Sequence, residues 1–215
     1  PTSGAAVTNN KQPVAFTIVD EAGGSGINLS SLVVKQDSTV VASSAIVSTA
    51  ITNGYSVTYT PASALSDGSH TITINVSDND GNAATAKSTT YKVDTVPPTL
   101  NITAPANALV TNNASLVVRG TTNDTASSPV TVKITLAGTD QGSVTVGTDG
   151  SFSKTLTLAN GSNTIVITAT DAAGKTSSVT RTVTLDTSKP VVKSATITPN
   201  PVDAGASMVI SVVVE

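Results

Sequence analysis

Asp67-Gly68-Ser69-His70-Thr71-Ile72-Thr73-Ile74 recurs downstream as Asn160-Gly161-Ser162-Asn163-Thr164-Ile165-Val166-Ile167. Working outward, Asp78 to Gly81 answers Asp171 to Gly174. Val93-Asp94-Thr95 followed by Pro97-Pro98 answers Leu185-Asp186-Thr187 followed by Pro190. The period, roughly 92 to 93 residues, suits one small β-sandwich per copy. The expected units are therefore residues 1–94, residues 95–187 and a C-terminal remnant, 188–215, too short for a third copy.

Composition points the same way. Ser and Thr make up about 30% of the chain, with much Val, Ile and Gly, which favours short strands and tight turns over helices. Aromatics are scarce (Phe16, Tyr55, Tyr59, Tyr91, Phe152) and Trp is absent, so each core is built mainly from Val, Ile, Leu and Ala. With no Cys there is neither a disulfide nor thiol chemistry, and packing alone must hold each sandwich. The Asn/Ser/Thr/Gly-rich surface reads as extracellular. A formal charge of −3 with scattered basic residues leaves no footprint for nucleic acid or for an anionic membrane surface. No apolar run is long enough to span a bilayer, and the start at Pro1 reads as a fragment or a processed product.

Apolar/polar alternation marks strands in the second copy at 100–103, 116–119, 130–136, 143–146, 152–158, 164–170 and 178–185. The breaks are turn chemistry: Ala104-Pro105, Asn123-Asp124, Asp149-Gly150, Asn160-Gly161 and Ala173-Gly174. The first copy gives 14–19, 32–36, 39–42, 45–51, 56–59, 71–77 and 86–93, with a helical turn possible at 62–65 after Pro61. The expectation is all-β: tandem seven-stranded Ig-like sandwiches in a rod-like array. Two prolines, Pro97 and Pro98, stiffen the joint. The remnant reads as strands 191–198 and 207–214 around Pro199-Asn200-Pro201, and two strands alone are marginal in water. Either the chain continues into a third domain or these strands pack on the second sandwich or on another subunit.

The repeated Asp67–Ile72 and Asn160–Ile165 segments, Asp78-Asn79-Asp80-Gly81-Asn82 and the Val-Asp-Thr-x-Pro-Pro linker together resemble tandem bacterial immunoglobulin-like domains. Ser25–Leu32 also resembles the opening of a bacterial surface repeat, and Thr198–Gly205 the start of another such domain. The resemblance covers nearly the whole chain. It implies stalks and decorations, as in adhesins, surface enzymes and phage tail-associated proteins, with no shared active site. The partners it implies are other Ig-like domains of a longer chain or assembly.

Catalytic patterns are missing: there is no nucleophile elbow, metal-spaced His cluster or phosphate loop. The single His70 stands where the second copy has Asn163, so it reads as structural. Tyr55 and Tyr59 share one strand face and offer a weak sugar-binding surface, against a plainer role as core filler. Calcium is the sharper expectation. If the first inter-strand loop and the C-terminus of the first sandwich lie at one end, Asp20, Glu21 and Asp94 approach Asp124 and Asp171 of the second and form an oxygen cage at the joint. The alternative is that these aspartates cap turns. The joint after Asp186, with Asp203 beyond it, is poorer in acids, and Asp78-x-Asp80-x-Asn82 with Gly81 reads as a turn and not as a calcium loop.

The sequence thus favours a non-enzymatic spacer or adhesion module of a bacterial surface protein or a phage tail. The other readings are a glycan- or host-protein-binding module with a calcium-ordered joint, and a filament subunit joined by β-strand pairing.

Overall fold

In the computed structural model the described residues are 1–124, 127–198, 204–205, 207 and 209–214. Nearly all regular structure is β. The first sandwich comprises β1 (Ala6–Val7), β2 (Val14–Val19), β3 (Ile27–Gln36), β4 (Thr39–Val40), β5 (Ile46–Ile51), β6 (Gly54–Tyr59), β7 (Gly68–Asp78) and β8 (Lys87–Val93). The second comprises β9 (Thr99–Ala104), β10 (Leu109–Thr111), β11 (Ser115–Asn123), β12 (Thr131–Leu136), β13 (Thr139–Asp140), β14 (Ser151–Thr157), β15 (Gly161–Thr170) and β16 (Thr176–Leu185). A hairpin of β17 (Val192–Thr198) and β18 (Val209–Val214) follows.

One sheet of the first sandwich runs β1-β8-β7-β3-β4 and faces the sheet β2-β6-β5. In the second, β10-β16-β15-β12-β13 faces β14-β11-β9. Alternation puts Val14, Ile18, Val34, Val57, Ile72 and Val93 between the first pair of sheets. Val118, Ile134, Leu156, Ile165, Ile167 and Val183 lie between the second pair. Tyr55 and Tyr59 pack inward with these cores, Tyr59 only 4% exposed, so neither offers a sugar platform.

The sequence reading missed β1 and β10, runs of two and three residues that pair in parallel with β8 and β16. Such short runs carry no period. Residues 143–146 alternate like a strand but bridge both sheets, Val144 to Val132 on one side and Val146 to Phe152 on the other, so they cross between layers. Residues 62–65 form no helical turn, with bends at 62–63 only; the one helical turn among the described residues is Ser43–Ala45.

A shared close approach fixes the same corner in both copies. A Cβ on Gly54 would lie 2.0 Å from the Ile18 carbonyl oxygen, and one on Gly150 would lie 2.1 Å from that of Thr122. Ile18 and Thr122 hold equivalent places, two residues before Asp20 and Asp124. The hairpin turn must pass the end of the neighbouring strand without a side chain, which is why Gly follows Asn53 and Asp149 there.

Candidate metal centre

Three strand ends converge where the sandwiches meet. Asp94 follows the last residue of β8, Asp124 follows β11, and Asp171 follows β15. One carboxylate oxygen from each lies within 4.8 Å of the others. Asp94 is fully buried and Asp171 is 6% exposed.

Local backbone bonding aims them. The Asp94 amide donates to the Val7 carbonyl, and Asp94 Oδ1 accepts the Val96 amide at 3.1 Å. Asp171 Oδ1 accepts the amides of Ala173 at 2.8 Å and Lys175 at 2.9 Å. Asp124 Oδ1 accepts the Ser127 amide at 2.8 Å, while the Ser127 carbonyl accepts the Ala172 amide and so ties the two loops together. In each residue, then, one oxygen caps a turn, as the plainer reading of the sequence expected. The second oxygens of Asp94 and Asp171 have no hydrogen-bond partner although buried, and the buried Ser127 hydroxyl beside them has none either. Five such buried atoms occur among the described residues, and three belong to this one place.

Buried polar atoms in native proteins find partners, and orphaned carboxylate oxygens are the costliest exceptions. Two carboxylates at this spacing repel by about 3 kcal/mol per pair at an effective dielectric of about 20. A divalent cation relieves both problems. Oxygens on a calcium coordination sphere lie at most roughly 5 Å apart, so three hard carboxylates at this separation fit such an ion.

Asp20 and Glu21 are elsewhere, which corrects the expected five-residue cage. Asp20 Oδ2 accepts the Gly26 amide at 2.7 Å and its neighbour in charge is Asp78, at the far end of β7 from Gly68. Gly68 pairs with Val93, so Asp20 is separated from Asp94 by the length of β7, roughly 30 Å at about 3.3 Å per residue. The reason is β1: with this strand ahead of it, the loop after β2 is not the first, and it falls at the opposite end from the C-terminus of the sandwich. Asp78 accepts the amide and side-chain nitrogen of Asn82, bonds that hold its carboxyl below the ordinary range. It closes a turn, as its Gly81 spacing suggested. Asp186 repeats the local geometry of Asp94, bonding Thr111 and Ser188, while Asp203 lies outside the described residues.

His70 belongs to the first sandwich's interior. Its Nδ1 lies 2.6 Å from Asp37 Oδ2 and its Nε2 2.7 Å from the Ser66 carbonyl oxygen. Burial alone would lower its pKa, but the Ser66 carbonyl and the Asp37 carboxylate together raise it. Both partners offer oxygen acceptors, an arrangement that suits the doubly protonated ring. Asn163 does the same work without charge, bonding Ala159 and Gly161.

Paired sheets, parallel first-strand contacts and acidic strand ends at the joint define a tandem of Ig-like sandwiches. Residues 2–95 match the family model of a bacterial Ig-like domain, and residues 98–187 match that of glucodextranase, domain B, so each sandwich is similar to a different family. Among solved structures, the fibronectin(III)-like modules of Clostridium thermocellum CbhA share 16% identity, with 86% of this chain and 91% of that one covered and a TM-score of 0.50. Rst D1-D2 shares 14% identity over 86% and 96% of the two chains, with a TM-score of 0.49. At 16% identity the likeness to the CbhA modules bears on the fold alone. No curated protein matches the chain significantly.

Proposed function

We propose that this chain is a non-enzymatic spacer of an extracellular bacterial or phage structural protein, and that calcium bound by Asp94, Asp124 and Asp171 stiffens its joint. The observation that carries this reading is the pair of buried, unpartnered carboxylate oxygens contributed by both sandwiches to one place. The ion supplies positive charge to three converging carboxylates. The chain's own residues fix where it sits, because each carboxylate is oriented by main-chain amides. A cation held by both sandwiches resists bending at the joint. Ions of this class bind extracellular modules at millimolar concentrations or just below, which suits a location outside the cell. No helix among the described residues is long and apolar enough to cross a membrane.

The test is calcium titration by calorimetry, with small-angle scattering in roughly 1 mM calcium and in chelator. The expected result is one ion per chain and a narrower distribution of dimensions when it is bound. Asp94→Asn is expected to abolish binding, whereas Asp20→Asn at the far end leaves it intact. No heat and no change in scattering would reduce the joint to plain turn caps.

A further inference from the structure

Ser127 sits between β11 and β12, and its main chain does a job that needs no side chain. The Ser127 amide donates to Asp124 Oδ1 at 2.8 Å, and its carbonyl accepts the Ala172 amide at 3.1 Å. The first sandwich makes the same tie with a glycine. There the Gly26 amide donates to Asp20 Oδ2 at 2.7 Å and the Gly26 carbonyl accepts the Asn79 amide at 2.9 Å, Asn79 following Asp78 as Ala172 follows Asp171. The hydroxyl that Ser127 adds is therefore no part of the tie. Nor does it face water, since Ser127 is only 1% exposed.

A buried hydroxyl without a partner destabilises the fold that holds it, yet Ser127 Oγ has none. Three bonds separate Oγ from the amide nitrogen that reaches Asp124, so it lies within roughly 6.5 Å of that carboxylate. The other two buried oxygens without partners at this place are Oδ2 of Asp94 and Oδ2 of Asp171. The hydroxyl could donate to a carboxylate, and in the structure it donates to neither. Calcium takes about six to eight oxygens. With one oxygen of each carboxylate turned to main-chain amides, the three aspartates fall short of that number.

We propose that the Ser127 hydroxyl is a fourth, neutral side-chain ligand of the ion, coordinating through an oxygen lone pair and keeping its proton. This rests on the calcium reading above and adds to it a residue that the carboxylates alone do not supply. A hydroxyl brings a hard oxygen without a fourth negative charge, so it adds to the coordination sphere and not to the repulsion among the acids. The ion, not the fold, is then the partner of this hydroxyl. One residue ties Asp124 to the Asp171 turn through its main chain and holds the ion through its side chain.

The whole chain is compared with Ser127→Ala and with Ser127→Thr, which keeps the hydroxyl. Calorimetry is expected to give a calcium dissociation constant roughly tenfold higher for Ser127→Ala and close to the unmodified value for Ser127→Thr. Terbium bound in place of calcium is expected to carry about one more water in Ser127→Ala, read from luminescence lifetimes in light and heavy water. Melting separates a ligand from a structural side chain by sign. In chelator Ser127→Ala, relieved of an unpaired buried hydroxyl, is expected to melt no lower than the unmodified chain, and in calcium it is expected to melt lower. An unchanged dissociation constant and water count overturn the proposal and leave the three-carboxylate site standing. A fall in melting temperature that is equal in calcium and in chelator assigns the hydroxyl to the fold and overturns it as well. If the unmodified chain binds neither calcium nor terbium, the calcium reading fails and this proposal with it.

Discussion

The two sandwiches place one phenylalanine each at the same spot but on opposite strands. In the second, Phe152 of β14 faces Gly120 of β11; in the first, Phe16 of β2 faces Val57 of β6. The aromatic volume is conserved while its owner changes. The surroundings differ as well: Phe152 lies on the central face of β14-β11-β9 and is 4% exposed, whereas Phe16 is half-buried on β2, which has β6 on one side and no described strand on the other. An equivalent position therefore does different work according to whether a strand covers it.

That contrast can be broken most decisively at the aromatics. Phe152→Ala is expected to cost about 3–5 kcal/mol, seen in the melting of the second sandwich, and Phe16→Ala about 2 kcal/mol in the first. Equal losses in a denaturant titration would remove the distinction. Gly120→Ala comes next. Its Cβ would stand 2.5 Å from the Asn101 carbonyl oxygen and 2.7 Å from the Phe152 ring, so about 1–3 kcal/mol is expected, confined to the second sandwich.

A smaller effect separates the two acidic corners. Calcium at tenfold its dissociation constant stabilises by about 1.4 kcal/mol. Asp171→Asn is expected to erase the resulting rise in melting temperature, while Asp78→Asn at the equivalent corner leaves it unchanged. Scanning calorimetry with and without chelator reads both.

The smallest effect concerns His70 against Asn163. The folded-state pKa of His70 is raised above 6.5, so its contribution is complete below that pH and fades as pH rises through the folded value. Asp37 works in the other direction. Burial would raise its pKa, but the bonds from His70, Thr71 and Gln36 lower it below 3.8, so its contribution holds above that pH and is lost in acid. The melting temperature of the first sandwich should thus fall by a few degrees from pH 6 to pH 8.5, while that of the second stays level. Because Asp37 is 43% exposed, solvent screens the pair and keeps the effect small. His70→Asn is expected to flatten the slope, which a melting series across that range would show.

Alternation and turn residues made the longer strands legible, because a half-buried strand must alternate and a tight turn must use Gly, Asn or Asp. The carboxylates Asp94, Asp124 and Asp171 were legible too, since Asp94 and Asp171 stand just beyond strands that the pattern had already marked and Asp124 stands in the Asn123-Asp124 turn. Asp20 and Glu21 went astray through one unread element. Ala6–Val7 is too short to show a period, yet counting it reverses the end at which the loop after β2 falls.

Parallel pairing of β1 with β8, and of β10 with β16, decides how each sandwich would bear tension. In each sandwich a short strand near its start lies beside the one by which the chain leaves, joined by bonds such as Lys92 amide to Ala5 carbonyl, Asp94 amide to Val7 carbonyl and Asp186 amide to Thr111 carbonyl. Drawing the ends apart slides these neighbours past one another and loads the bonds in shear together, not one after another as in peeling. Resistance to stretching is then set by a small main-chain patch near the exit of each sandwich, and a core with few aromatics can still belong to a mechanically stubborn chain.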